Sequence, residues 1–453
     1  MSRLVAQPAT TLPGAGTLVA AALGAALVIG ALAVLMRRRE EALPLLVVLA
    51  LPFRLPIAAD GRTVNLLIPL YLVIAAGTIA RLIPRLLWTR GASDPSPAKR
   101  EDPAARYVPW LLLAAVVLYT IQTAYSDDRA KALENIAVFY VPFGLLFVLL
   151  REVDWTARLL RRCLGLAVIL AVLFAGVGFV EYARKSLFLN PKVVEANQYD
   201  NYFRVNSVFF DPSIYGRFLA LVMVAVTTAV LWGSRRTVQI GAAVLAWLLA
   251  GLVTSFSQSS IAALLLGLAV LAAYRWDLRR TLYVSVAIVA LAGAVLLLAP
   301  TSLHFGLKGS KGSTSNATSG RAGLVTGGLE LFAERPLQGY GSGSFEKQYK
   351  AHAATSRATA QNATSASHTI PVTVAAEQGI LGLALYIALL VTALLALFTG
   401  AGRSPPRIAV AAAFAALVLH TWTYADFLED PFTWALLGLG LALARGRPDR
   451  AGQ

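Results

Sequence analysis

A few side chains between residues 204 and 368 have the chemistry needed to bind and transform an anionic substrate. The guanidinium groups of Arg204, Arg217 and Arg321 are planar forks that can bind phosphate oxygens bidentately. His368 has a reference pKa of about 6.5, so its imidazole can take a proton from a hydroxyl at neutral pH. The alternatives are headgroup contacts or ion pairs for the arginines and a polar helix cap for His368.

Other polar residues accompany this set. Asp211 and Gln258 are predicted to lie at the same level as the arginines. Glu377 follows His368 by nine residues, roughly 13 Å along a helix. Glu377 is therefore predicted to organise packing through a buried hydrogen bond, with Gly379 and Gly382 permitting close helix approach.

The sequence does not favour metal chemistry, and we predict neither a metal nor a cofactor. There is one cysteine and there are four histidines, with no Cys/His cluster. Asp127 and Asp128 could form an acidic pair in a metal-dependent transferase, although two aspartates are common in a polar turn. A second acidic cluster is predicted to be a solvated turn rather than a metal site, and comprises Asp426, Glu429 and Asp430 with His420 just before it.

The composition indicates the scaffold that positions these groups. The chain of 453 residues is 57% hydrophobic and only 14% charged, whereas soluble domains are about 45–50% apolar and about 25% charged. The net charge of +16 lies in short blocks between apolar runs and forms no continuous basic face, which argues against nucleic-acid binding. We predict an all-α, polytopic transmembrane bundle.

Thirteen apolar runs approach the length that a bilayer requires. The second run is short and contains Pro52 and Pro56. The alternative prediction for it is a bent or re-entrant segment, and the alternative count is twelve spans. The runs are 17–36, 43–59, 63–83, 107–125, 131–150, 160–181, 213–232, 237–254, 258–275, 281–300, 369–398, 407–423 and 431–445.

The basic blocks predict the orientation. The first apolar run is followed by Arg37-Arg38-Arg39, the reverse of a signal peptide's charge order, so it is predicted to be a retained span. With an outer N-terminus, the basic loops lie inside, as the positive-inside rule requires, and so does the C-terminus. The segments on the inside would be 37–41, 81–106, 151–162, 233–237, 275–280, 399–408 and the tail.

This topology predicts three regions: a bundle of about ten spans over 1–300 with an outer loop at 182–212, a large outer loop at 301–367, and C-terminal spans with a cytoplasmic tail over 368–453. In the large loop, 308–320 is of low complexity. Helices are predicted at 321–334 and 345–360, and the first should bury Leu324, Val325, Leu329 and Phe332. Basic residues of the loop would attract an anionic substrate.

Four segments resemble those of the superfamily of O-antigen ligases, O-antigen polymerases and related bacterial oligosaccharyl O-transferases. Arg204-Val-Asn-Ser-Val-Phe-Phe-Asp-Pro-Ser213 is similar to Arg-x-x-Gly-x-Phe-x-x-Pro-Asn, and Thr254-Ser-Phe-Ser-Gln-Ser-Ser260 to a segment that usually has Ser-Arg at its centre. Arg321 with Pro336-Leu-Gln-Gly-Tyr-Gly-Ser-Gly-Ser-Phe345 matches the loop elements. His368 and the run Glu377-Gln-Gly-Ile-Leu-Gly382 match the last signature.

The resemblance implies transfer of a glycan from undecaprenyl pyrophosphate to an acceptor hydroxyl, with inversion and without a metal, at the outer face of a bacterial cytoplasmic membrane. His368 would deprotonate or orient the hydroxyl, while Arg204 and Arg321 would stabilise the leaving pyrophosphate. The acceptor could be a glycan, a lipid or a protein. Two departures are Gln258, where many ligases have a second phosphate-binding arginine, and Thr369, where asparagine is usual. Either Arg217 or a loop lysine compensates for Gln258, or the substrate differs from that of those ligases.

Rival functions remain open at this point. A transporter or lipid-glycan flippase would carry ionisable groups or broken helices near the bilayer midplane, whereas here the polar groups collect at one rim. A protein O-glycosyltransferase would need a peptide groove that the sequence does not reveal. Ligase and polymerase share a site and differ in their acceptor.

Overall fold

The computed structural model describes residues 15–59, 62–84, 103–188, 203–276, 279, 283, 321–353, 367 and 369–445. The chain divides into two units, Met1–Ser93 and Asp94–Gln453. The described residues form fourteen helices and one short hairpin. Nine of these helices are long and apolar enough to cross a bilayer, which confirms the predicted polytopic helical class.

The first unit contains α1 (Ala15–Arg38), α2 (Ala42–Ala50), the antiparallel strands β1 (Leu55–Ala59) and β2 (Arg62–Leu66), and α3 (Ile68–Leu82). The prediction of a complete span at 43–59 is wrong. With 9 residues, α2 rises only about 14 Å, against a hydrocarbon core of about 30 Å.

The segment from α2 to α3 begins and ends at the same level of the first unit. The Arg81 guanidinium donates to the Glu40 carbonyl at 2.7 Å, and that of Arg37 donates to the Ile79 carbonyl at 3.2 Å. The segment therefore enters and leaves at one level, which is compatible with the re-entrant alternative for 43–59 and leaves the predicted alternation of the later spans unchanged.

The second unit opens with α4 (Pro103–Gln122), α5 (Arg129–Arg151), α6 (Ala157–Arg184), α7 (Pro212–Trp232), α8 (Arg235–Thr254) and α9 (Gln258–Arg275). Two shorter helices follow, α10 (Arg321–Glu334) and α11 (Phe345–Ala353). The unit ends with α12 (Ile370–Phe398), α13 (Pro405–Thr423) and α14 (Pro431–Ala444). The predicted span 281–300 lies largely outside the described residues.

The centre of the second unit is α7, which packs against α6, α8, α9 and α13. Most of its side chains are buried, including Tyr215, Phe218 and Leu219. Around it, α12 packs on α4 and α14 packs on α5. The helix ends therefore form two sets, one at each end of the bundle. One set contains the ends of α4, α6 and α8 together with the starts of α7, α9 and α12. The candidate site residues belong to this end of the bundle.

Candidate active site

A glycine-rich loop, residues 336–345, docks against a break in α12. At Gly379 the backbone has φ +64°, which interrupts the helix and frees backbone groups on either side. The loop bonds to these groups: Tyr340 N donates to the Ala376 carbonyl at 3.2 Å, Gly341 N to the Glu377 carbonyl at 2.8 Å, and Ile380 N to the Pro336 carbonyl at 2.7 Å. The break in α12 is thus satisfied by the loop rather than by water or lipid.

Two glycines of this loop are required by the close approach. Gly339 and Gly341 have φ +67° and +89°, a region that L-residues rarely adopt. A Cβ at Gly339 would lie 2.3 Å from the Glu377 carbonyl oxygen, and one at Gly341 would lie 2.3 Å from Ser126 Cα. Both obstacles are backbone atoms, so the spacing of these glycines reflects backbone packing on both sides of the loop.

The Glu377 side chain fixes the end of the loop. Its Oε2 accepts a hydrogen bond from Gly343 N at 2.9 Å, and its Oε1 accepts one from Phe345 N at 3.0 Å. The carboxyl group is only 7% exposed. These contacts agree with the buried hydrogen bonding expected from the sequence, and they place Glu377 as a positioning residue for the loop and the start of α11.

The other side of the loop packs against the turn 123–128, which follows α4. Ser126 Oγ donates to the Ser342 carbonyl at 2.7 Å, and Ser342 Oγ donates to the Tyr119 carbonyl at 2.9 Å. The Tyr125 hydroxyl donates to the Gln338 carbonyl at 2.9 Å. The loop is therefore held between α4 and the broken α12, which are separated by more than 200 residues in sequence.

Helices α10 and α11 cover the loop. The buried face of α10 is formed by Leu324, Gly328 and Leu331, at helical spacing. Of the residues predicted to share one side of this helix, Leu324 is buried, Val325 and Phe332 are half-buried, and Leu329 is 49% exposed. The buried side chains pack with three aromatic residues of the loop and α11, namely Tyr340, Phe345 and Tyr349.

Arg204 lies in a segment that is fixed by a buried carboxyl group. Glu181, near the end of α6, is fully buried and accepts hydrogen bonds from Ser207 N at 2.7 Å and Phe188 N at 3.0 Å. Ser207 has φ +52°, and its hydroxyl donates to the Phe174 carbonyl at 2.7 Å. The serine thus occupies a left-handed conformation where the resembling family has glycine.

The Arg204 side chain itself meets the turn between α8 and α9. Its Nε donates to the Ser255 carbonyl at 3.3 Å, and the neighbouring Val205 N donates to the Thr254 carbonyl at 3.2 Å. The side chain is half-buried, so part of the guanidinium reaches the surface at this end. Gln258, the first residue of α9, is exposed beside the same turn. The structure therefore brings Arg204 and the Gln258 segment together.

A buried serine and histidine network lies beneath this turn. Ser257 Oγ and Ser260 Oγ are 2.8 Å apart, and Ser260 Oγ lies 3.1 Å from His420 Nε2. Ser260 Oγ also donates to the Ser213 carbonyl at 3.2 Å. His420 is fully buried. The network links α7, α9 and α13, so it ties the Arg204 and Gln258 segments to the C-terminal helices.

Asp211 and Arg217 have structural partners. Asp211 caps α7 by accepting from Ser213 N at 2.6 Å, and it contacts the Tyr424 hydroxyl. Arg217 is 1% exposed and forms an ion pair with Asp430, with 2.6 Å between Nη2 and Oδ2. The geometry thus favours the structural alternative for Arg217 and corrects the expectation that it could compensate for Gln258 as a phosphate ligand.

The acidic turn after α13 is partly buried, which corrects the prediction of a solvated turn: Asp430 and His420 are buried, and Asp426 and Glu429 are half-buried. Asp430 is fully buried and also caps α14 through Phe432 N at 2.8 Å. Glu429 Oε1 accepts from Asn135 Nδ2 at 2.9 Å. Burial, together with the nearby carboxyl group of Asp426, raises the pKa of Glu429 to about 8.

The pair Asp127 and Asp128 is also occupied by protein groups. Asp127 Oδ2 accepts from Gln348 Nε2 at 2.8 Å and lies 3.7 Å from Arg335 Nη1. Asp128 caps α5 by accepting from Lys131 N at 3.1 Å. Among the residues that the structure describes, no group of three or more His, Cys, Asp or Glu side chains could hold a metal ion.

Two predicted site residues are not described. His368 lies outside the described residues, as does the side chain of Arg321, whose backbone begins α10. Ser367 and Thr369, on either side of His368, are placed at the start of α12, and the Ser367 hydroxyl donates to the Thr369 carbonyl at 2.7 Å. The catalytic role of His368 and the phosphate-binding roles of Arg204, Arg321 and Gln258 stay predictions.

Two features of the site were missed by sequence reasoning. Glu181 carried a sequence signal, because an ionisable residue near the end of a 28-residue apolar helix indicates a specific structural or functional role. The packing of His420 against Ser259 and Ser260 had none, since about 160 residues separate the partners.

A comparison with known protein families agrees with three of the four motifs, since the Arg204 segment precedes the matched residues. A family profile described as O-antigen ligase matches residues 243–387, which include the 254–260 turn, the glycine-rich loop and the break in α12. No curated protein gives a significant match. The described helices make the chain a multi-pass membrane protein, and the profile match over residues 243–387 supports membership of the O-antigen ligase superfamily.

Proposed function

We propose that this protein is a glycosyltransferase that moves a glycan from undecaprenyl pyrophosphate to an acceptor hydroxyl at the outer face of a bacterial cytoplasmic membrane. The observation that carries the proposal is the meeting of the motif segments at one end of the bundle. The Arg204 segment contacts the 254–260 turn, and the glycine-rich loop closes the break in α12. The family match covers the last three of these segments.

The proposed reaction is a direct displacement. The acceptor oxygen forms a bond to the anomeric carbon while the bond between that carbon and the pyrophosphate oxygen breaks, with inversion. His368 takes the proton from the acceptor hydroxyl, and undecaprenyl pyrophosphate leaves with the electron pair. Arg204 and Arg321 stabilise the negative charge on the leaving group. Gln258 contributes a neutral amide, and no metal or other cofactor takes part.

The proposed orientation places this end of the bundle outside the cytoplasm. The opposite ends of the helices carry Arg151, Arg235, Arg275 and Arg403. Such an excess of arginine is typical of the cytoplasmic side. Labelling of single cysteines from outside the cell tests this directly: a cysteine at residue 333, which is exposed on α10, should react in intact cells, and one at residue 236 should react only after permeabilisation.

Substitution tests the roles of the two principal residues. We expect His368→Ala to lower the rate of glycan transfer by about 10²–10⁴-fold, the usual contribution of a general base. Arg204→Gln should cause a similar loss and Arg204→Lys a smaller one, because lysine keeps the charge but not the fork. Arg236→Gln, exposed at the opposite end, is the matched control.

The assay uses purified protein with a lipid-linked glycan and an acceptor, and gel separation measures the product. Nuclear magnetic resonance of the new glycosidic bond tests inversion, and chelator treatment tests metal independence. Unchanged transfer by both His368→Ala and Arg204→Gln would overturn the catalytic assignment. In cells, deletion of the gene separates the acceptors: loss of long chains indicates polymerisation, and accumulation of lipid-linked chains indicates ligation.

A further inference from the structure

A second basic site lies at the opposite end of α4 from the candidate active site. A cleft of about 340 Å³ is lined by Arg106, Pro109, Trp110 and Leu113 of α4 and by Arg151, the last residue of α5. Arg106 is sixteen residues before Gln122, so the cleft is roughly 24 Å along the helix from the glycine-rich loop. It shares no lining residue with the candidate active site.

The cleft combines positive charge with an apolar wall. Its lining includes two arginines and, within the part of the chain that the structure describes, no carboxyl group. A third guanidinium is adjacent, because Arg445 Nη1 donates to the Arg151 carbonyl at 3.2 Å. These guanidinium groups favour an occupant that carries negative charge, and arginine forks are suited to phosphate oxygens.

The apolar wall faces away from the protein. Trp110 is 68% exposed, Leu113 is 52% exposed and Tyr107, in the same turn of α4, is 58% exposed. These residues lie in the first turns of a helix long and apolar enough to span a membrane. Tryptophan and tyrosine at such a position are typical of the boundary between headgroups and hydrocarbon. A water-soluble anion would leave this wall bare, whereas a lipid would cover it.

We propose that this cleft binds an anionic glycerophospholipid, whose phosphate contacts Arg106 and Arg151 while an acyl chain lies along Trp110 and Leu113. Basic pockets between transmembrane helices at the cytoplasmic side are known to bind anionic headgroups. The site is independent of the glycan chemistry, and it would fasten the start of α4 and the end of α5 to the membrane surface.

The test uses the full-length protein in phosphatidylcholine nanodiscs that contain a small fraction of spin-labelled phosphatidylglycerol. We expect the protein-bound fraction of the label to fall at least about five-fold in Arg106→Gln/Arg151→Gln. It should stay unchanged in Arg235→Gln/Arg236→Gln, which removes two exposed arginines from the same end of the bundle. Trp110→Ala should lower the protein-bound fraction of the label, although it does not change the charge of the cleft.

Controls separate the possible causes of a change. The single variant Arg106→Gln alters only an exposed side chain, so it serves if the double variant does not fold. Equal loss in both double variants would mean that total charge, not the cleft, retains the lipid, and the proposal would fail. Displacement of the label by millimolar inorganic phosphate would overturn it in favour of a soluble phosphate ligand.

Discussion

Replacing Gly341 with alanine tests whether the glycine-rich loop is held by backbone packing. The residue has φ +89°, a conformation that costs an L-residue about 1–2 kcal/mol. The new Cβ would also lie 2.3 Å from Ser126 Cα, and overpacking of this kind typically costs about 1–3 kcal/mol. Together these terms predict a loss of about 2–5 kcal/mol in the free energy of unfolding.

The chain offers a matched control for the same chemical change. A Cβ at Gly165, in the exposed part of α6, would meet no heavy atom within 4 Å. Gly165→Ala should therefore stabilise the protein by about 0.5–1 kcal/mol, because alanine restricts the unfolded chain and favours a helix. Two identical substitutions are thus expected to shift stability in opposite directions.

The measurement is the thermal midpoint of each purified variant in one detergent, at one scan rate, followed by tryptophan fluorescence. A fixed scan rate matters because unfolding of large proteins is often irreversible. Gly341→Ala should also lower glycan transfer, whereas Gly165→Ala should not. If the two variants had the same midpoint, the loop would not be clamped between Ser126 and α12 as the structure has it.

Three further predictions concern buried polar groups. Asp430→Asn keeps the cap on α14 but leaves the Arg217 guanidinium without its buried counter-charge, so the free energy of unfolding should fall by about 3–5 kcal/mol. Adding Arg217→Met should restore most of this loss. Additive losses in a double-mutant cycle of thermal midpoints would contradict the pairing. For Glu429, the folded pKa of about 8 exceeds the ordinary 4.5, so its contribution to stability is lost as pH rises between these values. Glu429→Gln should therefore make the thermal midpoint less dependent on pH between pH 5 and pH 9. Parallel curves of midpoint against pH for the two proteins would refute this. Ser207→Gly should be more stable than Ser207→Ala by about 1–2 kcal/mol, because both variants lose the hydroxyl contact but only glycine adopts a φ of +52° without strain. The same midpoint assay measures the difference, and equal midpoints would count against the prediction.

The sequence sufficed to predict the polytopic helical class of the fold. Long apolar runs specify spans because a bilayer accepts little else, and this held for α4 to α9. The glycine-rich loop and the glycines of α12 could be singled out by their resemblance to the family's motifs. Their partner could not, because the Gly341 requirement arises from Ser126, more than 200 residues away.

The errors have a common physical origin. The run 43–59 was apolar enough to span but too short in helical residues, since its prolines end α2 and a hairpin follows. Asp430 was placed in a solvated turn because three acidic residues in five positions are usually exposed. Its buried partner, Arg217, is 213 positions earlier in the chain, so no local pattern could have revealed the pair.

Glu181 and Glu377 suggest why this end of the bundle tolerates two buried carboxyl groups. Each uses both oxygens as acceptors for backbone N–H groups: Glu181 accepts from Phe188 and from Ser207 of the Arg204 segment, and Glu377 accepts from Gly343 and Phe345 of the glycine-rich loop. A glutamine of the same shape has only one acceptor oxygen and would turn an NH₂ group toward an N–H, so the isosteric change would leave a buried donor without a partner. A hydrophobic residue would leave two buried N–H donors without a partner. At each position a carboxyl group therefore accepts from two backbone N–H groups of irregular backbone, and that requirement is local to the candidate site rather than to the membrane fold around it.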